Sequence, residues 1–322
     1  MLFNQFGNPL KLHHALAALL FVLTLMFASV SVRAQDNWLE QQEIEVALKN
    51  LIIAVEADYL FDENRALIVE RLTSAINQRD FDGHYQFERF KRKLENLLFA
   101  ASKDSRFEIQ WRASSLQLGV NGGKTFPGTI ETQWFDDGVA YLSIDGDFTY
   151  SNSQEDINEA MAYLMGAKAL VIDLTGAGYI DFDVANGFLQ HFIPAGQPMV
   201  TLSLAHGNAL NIVSEADVTL NDIPVYIVTS SFVAGTWEFV SYTLQHAGRA
   251  TVVGEPTMGL STMKTTTTLS EHISVVMAYA EPLHPVTKVN HKDEGVTPDI
   301  ESNANEALDK ALSLAHDAIA DR

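Results

Sequence analysis

The sequence contains no cysteine, so thiol nucleophiles, zinc ribbons, dithiol redox chemistry and disulfide staples are all excluded. The core must then be an ordinary hydrophobic one, and 47% apolar residues can supply it. Basic residues are scarce, 21 Lys and Arg against 41 Asp and Glu, for a formal net charge of −20. A surface of that sign repels phosphate backbones and anionic lipid, which argues against nucleic-acid and membrane-surface partners. The ten histidines fall into no HExxH or comparable spacing, so no metal and no cofactor are expected. Repeats and low-complexity tracts are lacking too.

What is present begins with a leader. Lys11 lies in a short polar start, Ala15 to Val30 is a largely apolar run of 16 residues, and Val32-Arg33-Ala34 resembles a signal-peptidase site. The run is shorter than the roughly 20 residues of a spanning helix. We therefore expect residues 1–34 to be a signal peptide cleaved after Ala34, giving a secreted or periplasmic protein with no stable membrane anchor. The remaining 288 residues, 322 less 34, carry a net charge of −22, because Lys11 and Arg33 leave with the leader.

Apolar residues at three- and four-residue spacing (Leu48, Leu51, Ile52, Val55; Ala66, Val69, Leu72, Ile76; Phe87, Phe90, Leu94, Leu97) predict three helices, an N-terminal helical bundle over 35–103. From 104 to 322 strands and helices alternate. Strands are expected at Phe107–Trp111, around Val139–Ile144, and at Ala169–Leu174, Met199–Leu204, Val225–Val228 and Thr251–Val253. Turn residues run from Asn121 to Gly128. Helices are expected at Gln154–Met165, Asp183–Phe192 and Ala234–His246. A hairpin (Thr265–Leu269, Ile273–Ala278) and a closing helix, Ala304–Ala320, follow. Continuous apolar strands between amphipathic helices predict an α/β fold with a mostly parallel sheet covered by helices on both faces.

Four stretches carry a family resemblance. Ala169-Leu-Val-Ile-Asp-Leu-Thr-Gly-Ala-Gly178 resembles a strand and loop written DLRGNGGG, and Pro224 to Ser231 resembles a strand entering a nucleophile turn. Gly248-Arg-Ala-Thr-Val-Val-Gly-Glu-Pro-Thr-Met-Gly259 is similar to GRATVVGEPTxG, and Gly295-Val-Thr-Pro-Asp-Ile300 to GVxPDI. In that order they resemble the tail-specific (C-terminal-processing) serine proteases, a family that includes the tricorn core and the interphotoreceptor retinoid-binding protein modules. Tyr59–Glu63, Asp82–Tyr85 and Asp104–Phe107 fit the retinoid-binding-protein-like branch. The resemblance spans most of 45–318 and implies a ClpP/crotonase-like domain. Only about 25 residues separate the Phe107 and Val139 strands, too few for the PDZ insert of many members.

The family's chemistry, as the resemblance implies it, is acyl transfer by a serine at a helix start. A lysine after the GExTxG segment, or a histidine of a DxH segment with a C-terminal acid, serves as base. Aligning Glu238-Phe239 with the family's EF puts Ala234 at the serine position, Arg106 at the histidine position and Leu260 at the lysine position, with Lys264 four residues later. Because the turn is one residue shorter than the family pattern, Ser231, Ser230 or Thr236 could instead present a hydroxyl, though serines there also serve as helix caps. Gly176, Gly178 and Gly235 are candidate oxyanion or ligand-binding positions, with a tight turn as the alternative for the first two. Glu294 and Glu255 are possible acids or simply solvated carboxylates. His191 and His246 read as surface or capping groups, and Trp237 and Phe239 as core before ligand contacts. Three functions stay open: a silent scaffold that binds a peptide or small apolar ligand between Gly176 and Ala234, a working serine endopeptidase using Ser231 or Ser230, and a non-catalytic adaptor subunit. The leader yields a direct expectation: intact-mass or N-terminal analysis of the exported protein gives Gln35 as its first residue, and retention of Met1 would overturn cleavage after Ala34.

Overall fold

The computed structural model describes residues 37–112, 128–216, 220 and 222–320. The leader and the expected turn at Asn121–Pro127 lie outside them. Three helices come first, α1 (Gln41–Asp58), α2 (Asp62–Asn77) and α3 (Phe87–Ser102), with the short strands β1 (Trp38–Leu39) and β2 (Tyr85–Gln86) paired beside them. Ile44, Ala47, Leu48, Leu51 and Val55 form the buried stripe of α1, and Phe90, Leu94 and Leu98 that of α3, as the apolar spacing predicts; α2 instead buries Ile68, Leu72 and Ala75, and Ala66 of its expected stripe is exposed.

The main sheet has six strands in the order β13 (Ile300–Glu301), β10 (Thr251–Gly254), β9 (Val225–Thr229), β6 (Ala169–Ile180), β5 (Val139–Phe148), β4 (Thr129–Trp134). All neighbours are parallel except β5 and β4. Helices α4 (Ser153–Tyr163), α5 (Phe182–Gln190) and α6 (Thr236–His246) cover one face, where Leu170, Ile172 and Leu174 of β6 point. Helix α7 (Ala304–Ala320) covers the other, its Ala307, Ala311 and Ala315 packed on Val171, Val228 and Val253. Burial on both faces explains why these strands read as unbroken apolar runs.

A second sheet, absent from the expectation of one mostly parallel sheet, is wholly antiparallel. Its order is β11 (Met263–Thr268), β12 (Ile273–Leu283), β7 (Pro198–Leu204), β8 (Ala209–Val213), with β3 (Glu108–Trp111) also paired to β12. The Met199–Leu204 run thus belongs here and not to the parallel sheet. An apolar run shows burial but not strand direction, and β7 turns back into β8 through Ala205–Gly207, where His206 takes φ 60°. The N-terminal helices share a core with this sheet: Leu48, Leu51, Phe90 and Leu94 meet Ile109, Ile273, Val275 and Met277.

One further correction concerns Thr175–Gly178. The stretch expected to be a loop is strand, because β5 runs on beside it: Asp145 pairs with Gly176, Gly146 with Ala177 and Phe148 with Ile180, across two register shifts. Among the described residues no helix is long and apolar enough to cross a membrane. The alanine face of α7 lets helix and sheet approach closely, so Ala311→Leu is expected to overpack the contact and cost about 1–3 kcal/mol, read as a lower urea midpoint.

Candidate functional site

Strand β9 ends at Thr229, and the chain turns through residues 230–235 before α6 begins at Thr236. Ser230 is buried; its carbonyl accepts from Val233 N–H at 3.0 Å, and its hydroxyl takes Phe232 N–H in a long 3.4 Å contact. That is the local turn-capping use of serine. Ser231 is exposed, and its backbone N–H reaches the Glu255 carboxylate at 3.3 Å. Ala234 is half-buried one residue before the helix N-cap, Gly235, whose φ of 61° and ψ of −120° disfavour any side chain.

Fully buried under this turn lies the carboxylate of Glu238. It accepts from Gly235 N–H at 2.7 Å, Leu260 N–H at 2.8 Å, the Thr257 hydroxyl at 2.6 Å and Gly259 N–H. One side chain thereby binds the start of α6 to the loop after β10. Thr257 extends the network, its hydroxyl accepting from Val296 N–H at 2.7 Å. Two glycines allow the backbones to close up: a Cβ on Gly254 would stand 2.1 Å from Thr229 O, and one on Gly295 2.2 Å from Thr257 O. Asp299 accepts from Val252 N–H at 2.7 Å, and Arg249 donates to the carbonyls of Phe192 and Leu220. The GRATVVGEPTMG and GVTPDI segments are the scaffold of the turn.

Glu238 brings two of the aligned positions together, since Gly235, next to Ala234, and Leu260 donate to the same oxygen. The Leu260 side chain is 54% exposed. Arg106 joins them through Thr262, to whose hydroxyl it donates at 2.8 Å; it also bonds Asp104 at 2.6 Å and lies 4.3 Å over the Phe61 ring. Its guanidinium is thus engaged at the junction of the helices with β11. Lys264 is exposed on β11, and Glu294 is exposed on the loop before Gly295. Glu255 is half-buried and accepts from Ser231 N–H and Ala304 N–H. His191 meets Asn158, and exposed His246 donates from Nδ1 to Tyr242 O. Trp237 and Phe239 are buried core, the latter against Phe182.

Gly176 and Gly178 sit near the carboxyl end of β6, the strand beside β9, so they and Ala234 lie past the same edge of the parallel sheet, where α/β folds form crevices. A Cβ on Gly176 would stand 2.5 Å from Asp145 Oδ2, and one on Gly178 2.4 Å from Asp147 Oδ1. At Gly178 the Gly146 backbone, 2.9 Å from such a Cβ, also excludes a larger residue, whereas at Gly176 only the Asp145 side chain would have to move. Beyond them, burial raises the pKa of Tyr179 and of Asp181, with Asp181 adding to the first and Asp183 to the second. Burial also raises that of Tyr279 on β12, with contributions from Asp183 and Tyr179 that bring the second sheet up to this end of β6. The apolar surface about the turn is Phe232, 79% exposed, with Met258 and Leu260; Met258 N–H donates to Val233 O. Among the described residues no group of His, Asp and Glu is arranged to hold a metal ion.

Sequence reading used Glu238 only as an alignment mark. Its own signal was available: an acid between Trp237 and Phe239, in a stretch of buried apolar residues, requires hydrogen-bond donors.

The sequence profile of Peptidase family S41 matches residues 138–302. Among solved structures the fold is similar to a lipoprotein from Streptococcus agalactiae (TM-score 0.61, 12% identity, 87% of this chain and 98% of that one). It is likewise similar to a candidate peptidase from Parabacteroides merdae (0.51, 16%, 87% and 97%). A photosystem II D1 C-terminal processing protease aligns over 57% of this chain and half of its own length (0.47, 18%). The Glu238 network makes a clear prediction. Glu238→Gln puts an amide N–H₂ against N–H donors and removes the charge, so it is expected to cost at least about 1.5–3 kcal/mol, measured by chemical denaturation.

Proposed function

The chain belongs to peptidase family S41, a family of serine-type peptidases, and on that premise we propose that it is an exported member without peptidase activity whose crevice beside Ala234 binds an extended peptide or a small apolar ligand. What supports this is the alignment that puts Ala234, one residue before the N-cap of α6, at the position of the family's serine, where acyl transfer would need a hydroxyl. A methyl cannot attack a carbonyl, and loss of a triad serine costs on the order of a millionfold in rate. The aligned base positions support the same reading, because Leu260 has no proton to exchange and the Arg106 side chain is engaged by Asp104 and Thr262. Phe232, Met258 and Leu260 give the crevice an apolar rim suited to such a ligand.

Ser231 and Ser230 are the nucleophiles of a rival, working endopeptidase. Against it stand the contact of the Ser230 hydroxyl with its own turn and the lack of a basic side chain bonded to either serine among the described residues. A non-catalytic adaptor, the other rival, would leave the crevice empty of ligand. The test is to treat the mature protein with a fluorophosphonate probe, map adducts by mass spectrometry, and measure peptide binding by wild type and Ser231→Ala. No adduct, with binding that survives the substitution, is expected. An adduct on Ser230 or Ser231 overturns the silent reading, and an absence of any ligand favours the adaptor.

A further inference from the structure

Three histidines gather around Tyr242 on the side of α6 that leads to the crevice loop. His246 stacks on its ring at 3.9 Å, while His291 and His284 lie 5.8 and 6.5 Å from it, centroid to centroid. His284 and His291 are both buried, and both come from the segment that follows β12.

The hydrogen bonds fix the proton on each buried ring. His284 Nδ1 accepts from Thr287 N–H at 3.2 Å, so that nitrogen carries no proton. The same short turn is closed by His284 N–H to Val289 O and Lys288 N–H to His284 O, both at 2.9 Å. His291 Nε2 meets Leu260 O at 3.2 Å and must donate there, which leaves Nδ1 as a buried acceptor with no partner. His284 is therefore neutral, and burial favours the neutral form of His291, whose Nδ1 has no acceptor to receive a proton's hydrogen bond. A proton added to His284 would set two N–H groups against each other, and one added to His291 would bury an unpaired N–H and a cation.

The segment also grips the crevice loop. Besides His291 on Leu260 O, Asp293 N–H donates to Gly259 O at 3.1 Å, and Lys292 pairs with Glu281 at 3.3 Å. Gly259 and Leu260 are the residues whose N–H groups converge on Glu238. Whatever loosens residues 284–293 loosens the wall beside Ala234.

We propose that residues 284–293 form a proton-released clasp: with His284 and His291 neutral it holds the Gly259–Ser261 loop against α6, and protonation of the two rings in mild acid frees that loop. The charged and titratable groups facing the rings are Glu238, Tyr242 and His246 on α6, Glu281 on β12, and Lys288 on the turn itself. Lys288 and His246 oppose a charge on His284, whereas Glu238 and Glu281 partly favour one on His291. Burial is the largest influence on both and lowers both pKa values. The opened segment then binds protons more readily than the closed one, so closure is fully stable above the ordinary histidine value. Its stability falls as the pH drops below that value, until the closed-state pKa is reached. Each ring can raise the open population by at most about tenfold between pH 7.5 and 5.5. The proposal depends on the crevice reading only for what the movement exposes.

The test is hydrogen exchange by mass spectrometry on the full chain at pH 7.5 and 5.5, corrected for the intrinsic rate, in wild type and in the double variant His284→Asn, His291→Gln. Asn Oδ1 keeps the acceptor for Thr287 and Gln Nε2 keeps the donor for Leu260, and neither titrates. Residues 257–262 and 284–293 of the wild type are expected to lose protection severalfold at pH 5.5, to a ceiling of about a hundredfold for two rings, with α1–α3 unchanged and the double variant insensitive. Equal protection at both pH values, or an equal loss in the double variant, overturns the clasp. If the double variant shows no cooperative melt at pH 7.5, NMR titration of the wild-type rings decides. Two rings titrating well below ordinary histidine support the clasp, and values at or above it refute it. None of these readouts requires a ligand, so failure of the clasp is distinguishable from failure of the binding proposal.

Discussion

A carboxylate removed from water must be met by donors or the fold does not hold, and the architecture around α6 is organised by that requirement at Glu238. Its oxygens draw on the first residue of the helix cap and on three successive points of the loop after β10. Thr257 passes the constraint on to Val296. Three segments far apart in sequence thus have their positions set by one side chain. The Ala234 side chain takes no part in this network, so the scaffold of the turn does not depend on which side chain stands there.

That separation explains why the family was readable and the chemistry was not. Gly254, Gly259, Gly295, Thr257 and Asp299, which carry the resemblance, meet backbone requirements of the turn: close approach, left-handed φ, donors for Glu238 and, from Asp299, an acceptor for Val252 N–H. The departures expected from the alignment fall at Ala234, Arg106 and Leu260, none of whose side chains bonds to Glu238. Arg106 has found other work, joining Asp104 to Thr262 and covering Phe61.

The doubly covered strands and their helices were legible because burial on two faces writes itself as continuous apolar sequence. Strands were missed for the opposite reason: β8 of the second sheet is exposed along most of its length and β4 of the main sheet along nearly all of it, so neither carries apolar alternation. The extension of β6 was also hidden, since Thr-Gly-Ala-Gly reads as a turn and becomes strand only through pairing with β5, whose bulged register no local pattern encodes. The histidines near Tyr242 looked isolated because they are scattered over 46 positions and meet only when β12 returns the chain to α6.

Strand β12 hydrogen-bonds to β3 and then to β7 along one edge, while β11 occupies the other. Its inward residues Ile273, Val275 and Met277 are roofed by α1 and α3 rather than by the parallel sheet. The helical lobe is therefore the layer that covers one face of the second sheet. A fragment starting after α3 would leave that face wet and tend to self-associate through it.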